Sequence, residues 1–250
     1  MGNLFLDLIL FVYNTVAFQN LGVAIVEIAV LSRIIFHPFA KQQTHYSKKM
    51  AELQPHIKSL KEKHGDNKQA FAAAQMELFK ANGVNPAAGC LPAIVQIVVL
   101  FGLLGALNQI LTMNLNDTLW IWNMAKPDAY QVSGLPFAVP GILVALAALT
   151  QFIQTKMMMP ASPTASRGEP AGGPTEKKKE GDFASEFAEA QSSMIWMFPL
   201  MFLFLGTQWP SGLALYWTVS SVIAIGQQYK IGGLGGLEQY VVKLKELSSK

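Results

Sequence analysis

The sequence has little cysteine and little charge. Cys90 is the only cysteine in 250 residues, which excludes a disulfide framework and a cysteine-rich metal site. Charged residues make up only 14% of the chain, whereas hydrophobic residues make up 51%. A composition this apolar indicates a membrane protein rather than a soluble domain.

Motifs of catalytic chemistry are also missing from the sequence. It contains no HExxH zinc motif, no GxSxG nucleophile elbow, no glycine-rich phosphate loop and no pair of carboxylates within an apolar segment. The first 20 residues contain no lysine or arginine, so they do not predict a signal peptide. We therefore expect no catalytic residues, no metal site and no cofactor.

The most prominent feature of the sequence is a set of apolar segments whose lengths approach the ~20 residues of a membrane-spanning helix. We predict five spans, of which the last two are short, with unbroken apolar cores of about 13–15 residues that favour a locally thinned bilayer. The spans are predicted at 19–39, 90–113, 135–156, 191–207 and 211–229, within a core of residues 19–40 and 89–230.

The other segments indicate parts that lie outside the membrane. Residues 1–18 are apolar but too short and interrupted to cross, which favours an interfacial amphipathic helix. Residues 41–88 carry two apolar stripes at helical spacing and predict a helical hairpin. Residues 157–190 predict a flexible polar linker, and 231–250 a tail. The predicted fold class is an all-α integral membrane protein with five transmembrane helices, a cytoplasmic helical hairpin and an N-terminal interfacial helix.

The distribution of basic residues predicts the orientation. The hairpin carries eight lysines, whereas the loop 114–134 has one and the segment before the first span has none. Because cytoplasmic loops are enriched in lysine and arginine, the hairpin, the linker and the tail are expected in the cytoplasm. The N-terminus is then outside and the C-terminus inside.

Arg33 is the residue of the first span that most needs explanation. At ~1.5 Å per residue it lies about 9 Å from the end of the span at Phe39. An arginine at the centre of a span costs roughly 2.5–3.5 kcal/mol. One explanation is snorkelling of the guanidinium to the headgroups beside Lys41. The other is a polar cavity. Glu27 favours the cavity, since snorkelling to the near side cannot bring that carboxylate to water.

Other polar residues fall at a similar depth in other spans. Gln96 and Ser220 lie roughly 10–13 Å from the cytoplasmic ends of their spans, and Gln151 lies nearer the same side. Each alone is most simply a helix-packing contact. Together with Arg33, they indicate a polar, water-accessible cavity open to the cytoplasm.

Four stretches of the chain resemble the YidC membrane-protein insertases of bacteria, which have relatives in chloroplasts and mitochondria. The resemblance covers nearly all of 19–230. The stretches that carry it are LSRIIFHPFAKQQ (31–43), LQPHIKSLKEKHGDNKQ (53–69), NPAAGCLPAIVQ (85–96) and WPSGLALYWTVSSVIAIGQQ (209–228).

The resemblance implies a hydrophilic groove, open to the cytoplasm and the lipid and closed on the outside, in a bacterial cytoplasmic (inner) membrane. Arg33 matches the arginine of that groove, Gln96 matches a glutamine of the second span, and Tyr216 and Trp217 fall in a substrate-contact stretch. Implied partners are nascent membrane proteins and membrane lipids. The Sec translocon, the ribosome and the signal recognition particle pathway are further candidates, and no direct binding of nucleic acid is expected.

The sequence also departs from the family pattern. It shows no large outer domain before the first span and no lipoprotein cysteine, and Ala29 replaces the threonine that some relatives carry four residues before the arginine. The tail is short and only modestly basic, which argues against ribosome docking through a long basic tail.

Two other functions fit the polar spans. A secondary transporter or channel would also use Arg33 and Glu27, although no inverted repeat relates the two halves and the hairpin divides the spans unequally. A purely structural scaffold would leave Arg33 without a purpose. We therefore expect a membrane protein insertase and chaperone, not an enzyme.

Overall fold

A computed structural model describes residues 2–64, 67–84, 91–110, 112–113, 115, 117–134, 136–158, 197 and 199–248. Nearly all of the predicted linker 157–190 and the first part of the predicted span 191–207 lie outside these residues. The structure therefore does not test these two predictions.

The described chain is mostly α-helical, in agreement with the all-α class. Its helices are α1 (Gly2–Thr15), α2 (Leu21–Ile35), α3 (His37–His64), α4 (Lys68–Ala81), α5 (Leu91–Ile110), α6 (Ile142–Met158), α7 (199–205), α8 (Ser211–Gly232) and α9 (Glu238–Ser248), with a 3-10 turn at Gly235–Leu237. Four two-residue strands, which the sequence patterns did not predict, lie between α5 and α6: β1 (Thr118–Leu119), β2 (Trp122–Asn123), β3 (Ala129–Tyr130) and β4 (Val139–Pro140). They pair as two antiparallel ribbons, β1 with β2 and β3 with β4.

Helix α8 lies at the centre of the bundle and packs against α6, α2 and α3, while α1 packs against α5 and α2. One apolar core joins α1, α2, α5, α6 and α8, and its most deeply buried members include Ile25, Leu107 and Leu213. The helices approach closely at Gly212, where an added methyl carbon would lie 2.7 Å from Ile25 Cδ1 and 3.0 Å from the Met124 carbonyl oxygen. Small residues of this kind let helix backbones pack tightly.

Helix α2 ends at Ile35, within the first predicted span 19–39. Asn20 caps α2, its side chain accepting a 3.1 Å hydrogen bond from the Val23 amide. The helix stops at Ile35, and α3 begins at His37 after a bend of 59°. Pro38 therefore stands in the first turn of α3, where its missing amide hydrogen costs little.

Within the described residues, no helix taken alone has both the length and the apolarity needed to cross a membrane; α2 and α3 reach them only as a bent pair. The number of spans and their bounds therefore remain predictions.

Helices α3 and α4 pack against each other around a small second core. Leu53, Phe79 and Val84 are its buried members, and Tyr46, Met50, Ile57 and Leu78 pack on them. Pro55 lies inside α3 without ending it. Helices α3 and α4 overlap the segment 41–88, and α3 already begins within the predicted first span 19–39.

Helix α6 starts at Ile142, seven residues after the predicted start at 135, because residues 139–140 form β4. Asp128 organises this start. Its carboxylate accepts a 2.7 Å hydrogen bond from the Leu143 amide and its carbonyl accepts a 2.8 Å bond from the Gly141 amide. A carboxylate at a helix N-terminus satisfies an otherwise unpaired amide and interacts favourably with the helix dipole.

We expect Asp128→Ala to lower the free energy of unfolding by about 1–2 kcal/mol, as removal of a capping side chain does. The measurement is thermal unfolding of the purified protein in detergent. Asp7→Ala, at an exposed position of α1, is the control and should change little. Equal melting temperatures for the two variants would show that the cap contributes no stability.

Candidate functional site

Arg33 is held by neutral groups of α8. Its Nε donates a 2.7 Å hydrogen bond to Ser220 Oγ, and its carbonyl oxygen accepts a 3.2 Å bond from Gln227 Nε2. Ser220 is buried about midway along α8, so the guanidinium lies well inside the bundle. Neither partner carries a charge, and these bonds therefore orient Arg33 without compensating its positive charge.

A small polar cavity lies beside Arg33. The centre of a water molecule has about 20 Å³ in which to move there, enough for about one water molecule. Its walls come from α2, α3, α6 and α8: Arg33, Ala40, Gln43, Thr44, Gln154, Met158, Ala224, Gln227, Gln228 and Ile231. The cavity thus lies where the end of α2, the first part of α3 and the ends of α6 and α8 meet.

Two buried acceptors belong to this cavity. Gln154 Oε1 and Gln227 Oε1 are both buried and have no hydrogen-bond partner among the described residues. A buried acceptor without a partner costs about 1–3 kcal/mol. The cavity therefore offers acceptors to hydrogen-bond donors and, through Arg33, a cation to acidic groups.

A clasp of hydrogen bonds closes the cavity at the end of the bundle that carries α3. Thr44 Oγ1 donates to Gln228 Oε1 over 2.9 Å, and Gln228 Nε2 donates to the Met157 carbonyl over 3.3 Å. Lys48 Nζ donates to the Ile231 carbonyl over 2.9 Å. We call the link from Thr44 through Gln228 to Met157 the glutamine clasp, since it ties α3, α8 and α6 together.

The opposite end of the bundle, next to the strands, is packed with apolar side chains. Leu21, Ile25, Leu107, Ile110, Met124 and Leu213 are all fully buried there. None of them lines the cavity. Within the described residues the polar cavity is thus a dead end.

The residues predicted for the site fall into three groups. The first group is Arg33, which lines the cavity, and Ser220, which accepts the hydrogen bond that orients the Arg33 side chain. Gln151, Tyr216 and Trp217 form the second group, which does not line the cavity. Trp217 Nε1 donates a 2.7 Å hydrogen bond to Gln151 Oε1, and Tyr216 Oη lies 3.3 Å from Ser32 Oγ. Tyr216 and Trp217 are each only 4% exposed, so in this conformation they belong to the core and not to an open surface.

Gln96 and Glu27 form the third group, which lies apart from the cavity. Gln96 is partly exposed on α5 and does not line the cavity. Glu27 does not line it either, although its Oε2 is buried without a hydrogen-bond partner among the described residues. The described cavity around Arg33 therefore includes neither Gln96 nor Glu27.

Sequence reasoning missed the residues that close the cavity. Gln43 and Thr44 were assigned to the hairpin, and Gln227 and Gln228 to the polar end of a span. The adjacent glutamines at 227–228 are the sequence feature that could have indicated a polar site here. No local sequence pattern relates Thr44 to Gln228, which lies 184 positions away.

Over the part of the chain that the structure describes, the geometry defines a class before any comparison: a helical bundle with a dead-end polar cavity around an arginine that pairs with no acidic group. A family model described as "60Kd inner membrane protein" matches residues 11–233. The chain belongs to this family of inner membrane proteins.

Its relatives carry the name "Membrane protein insertase YidC". One from Fusobacterium nucleatum is 31% identical over 231 residues, which cover 92% of this chain and 95% of the relative. Relatives from Syntrophus aciditrophicus and Geobacter sulfurreducens are 35% and 34% identical over 222 and 213 residues, or 88% and 85% of this chain. The chain spans about a third of the length of the latter two, 34% in each case.

Two glutamines one turn apart on α6 should differ in their effect on stability. We expect Gln151→Leu to cost about 1–3 kcal/mol, because the buried Trp217 Nε1 loses its acceptor. Gln154→Leu removes an acceptor without a described partner and should cost much less. The measurement is denaturant or thermal unfolding of both variants in the same detergent. Equal losses of stability in the two variants would contradict the role of Gln151 as the acceptor for Trp217 Nε1.

Proposed function

We propose that this protein is a membrane protein insertase and chaperone. It takes hydrophobic segments of nascent membrane proteins from the cytoplasm and passes them through the cavity around Arg33 into the bilayer. The observation that carries the proposal is an uncompensated arginine in a cavity that is polar at one end of the bundle and closed by apolar packing at the other. Membership of the insertase family supports it.

The physical task of such a protein is to lower the cost of moving polar groups into lipid. A segment that enters the membrane brings flanking polar residues and unpaired backbone amides with it. The acceptors of Gln154 and Gln227 can bond those donors, and Arg33 can attract an acidic flank. Because the far end is packed, the segment leaves sideways into lipid and does not pass through.

The cavity must open before it can receive a segment. Its room for about one water molecule is far too small for a helix about 10 Å across. The glutamine clasp ties α3 to α8 and α6 through the single side chain of Gln228, so we infer that α3 moves away from α8 at Thr44 and Gln228.

We place the protein in the bacterial cytoplasmic membrane with five spans, the N-terminus outside and the C-terminus in the cytoplasm. The packed helices α3 and α4 then form a cytoplasmic hairpin, as their lysines favour. Residues 1–18 lie at the outer interface. The Sec translocon, the ribosome and the signal recognition particle pathway remain candidate partners on this proposal.

We expect Arg33→Lys to retain most insertion activity and Arg33→Ala to lose it mainly for substrates with acidic outer tails. An attraction of about 1–2 kcal/mol, between the values for bulk water and for a protein surface, corresponds to a loss of roughly 5- to 30-fold. Insertion is measured by protease protection of substrates in proteoliposomes. Otherwise identical substrates with acidic and with neutral tails provide the comparison, and equal loss on both would exclude the electrostatic role.

The closed outer end separates an insertase from a channel or transporter. Purified protein in a planar bilayer should show no steady conductance. With Cys90→Ser as background, a cysteine at the cavity residue Gln227 should react with a water-soluble reagent from the cytoplasmic side only. A cysteine at Trp120, exposed near the strands, is the control and should react from the outside only. Conductance together with reaction of position 227 from both sides would favour the channel.

A further inference from the structure

The last helix carries an exposed apolar face that the core does not use. Tyr240, Leu244 and Leu247 of α9 are spaced by four and three residues, so they lie on one side of the helix. They are 48%, 65% and 64% exposed. Val242, which is 50% exposed, lies about 160° round the helix from Tyr240 and belongs to the other side.

The start of α9 is attached to the end of α6. Lys156 Nζ lies 5.5 Å from the centre of the Tyr240 ring and donates a 3.4 Å hydrogen bond to its hydroxyl. The 3-10 turn Gly235–Leu237 packs on α6 as well. Gly233 and Gly235 have positive φ angles of 75° and 51°, which let the chain turn between α8 and α9.

The end of α6 is also where its apolar outer surface stops. The exposed large apolar residues of α6 are Ile142, Leu146 and Leu149, which share one face. Lys156 follows Leu149 by about 10 Å along the helix, and a lysine at such a place reaches lipid headgroups. The contact between Lys156 and Tyr240 therefore sets α9 at the boundary between lipid and water.

We propose that α9 lies along the membrane surface at the cavity end of the bundle, with Tyr240, Leu244 and Leu247 in the boundary between headgroups and acyl chains. The ligand of this face is an anionic lipid surface, because Lys156 contacts α9 beside the apolar face and Lys230 lies in the last turn of α8, a short connection before α9. An interfacial amphipathic helix buries its apolar face in this way. The proposal rests on the proposed membrane location but not on insertase activity.

This anchor has a consequence for the cavity. Gln227, Gln228 and Ile231 line the cavity from the end of α8, only a short connection before α9. A helix held on the lipid surface keeps that end of α8 at a constant depth. When α3 moves away, the α8 wall of the cavity then stays in place.

The test uses the full chain with Cys90→Ser and one cysteine at Leu244, Leu247 or Val242. Each cysteine is labelled with an environment-sensitive fluorophore, and the protein is reconstituted in liposomes of phosphatidylcholine and phosphatidylglycerol. Probes at 244 and 247 should be quenched by lipids with a shallow nitroxide, and by aqueous iodide at most about half as strongly as the probe at 242. The probe at 242 is the matched control, since Val242 is similarly exposed on the other side.

Each possible result bears on the proposal. Equal iodide quenching at 242, 244 and 247 would overturn it, because the face would then be in water. Protection that disappears as protein is diluted in lipid would also overturn it, since a second copy would then cover the face. Insertion of a reporter substrate is measured on the same liposomes, so a loss of the proposed function is distinguished from a loss of lipid contact.

Discussion

The structure depends on a single positive charge that is oriented but not neutralised. Ser220 fixes the Arg33 side chain through Nε, and Gln227 bonds its carbonyl oxygen. Burying a cation without a counter-charge is expensive unless water or a ligand remains near it. The surrounding helices meet this cost by leaving a polar cavity on one side of Arg33, and the shape of that cavity limits what the protein can do.

Close packing supplies the asymmetry that the cavity needs. Next to the strands, fully buried apolar side chains and the close contact at Gly212 hold the helices tightly together. At the other end, the glutamine clasp joins α3, α8 and α6 through two hydrogen bonds. Each such bond contributes only about 0.5–1.5 kcal/mol net. The bundle can therefore open at the clasp at much lower cost than at its apolar end.

The sequence by itself determined the class of fold and the position of the charge. Apolar segments, lysine-rich connections and the depth of Arg33 all follow from local composition and from the fixed rise of a helix. It predicted helices in the right regions, although α2 stops before Pro38 and α6 begins only after Pro140. Boundaries of this kind depend on caps such as Asp128, whose partner Leu143 is fifteen positions away.

Only the tertiary structure decided which polar residues meet. Ser220 lies 187 positions from Arg33, and Thr44 lies 184 from Gln228, so no local pattern relates either pair. Helical periodicity gives the depth and the face of a side chain along one helix, but the rotation of that helix against its neighbours comes from packing of the whole bundle. For that reason depth alone grouped Gln96 with Arg33, whereas packing placed Thr44 and Gln228 there instead.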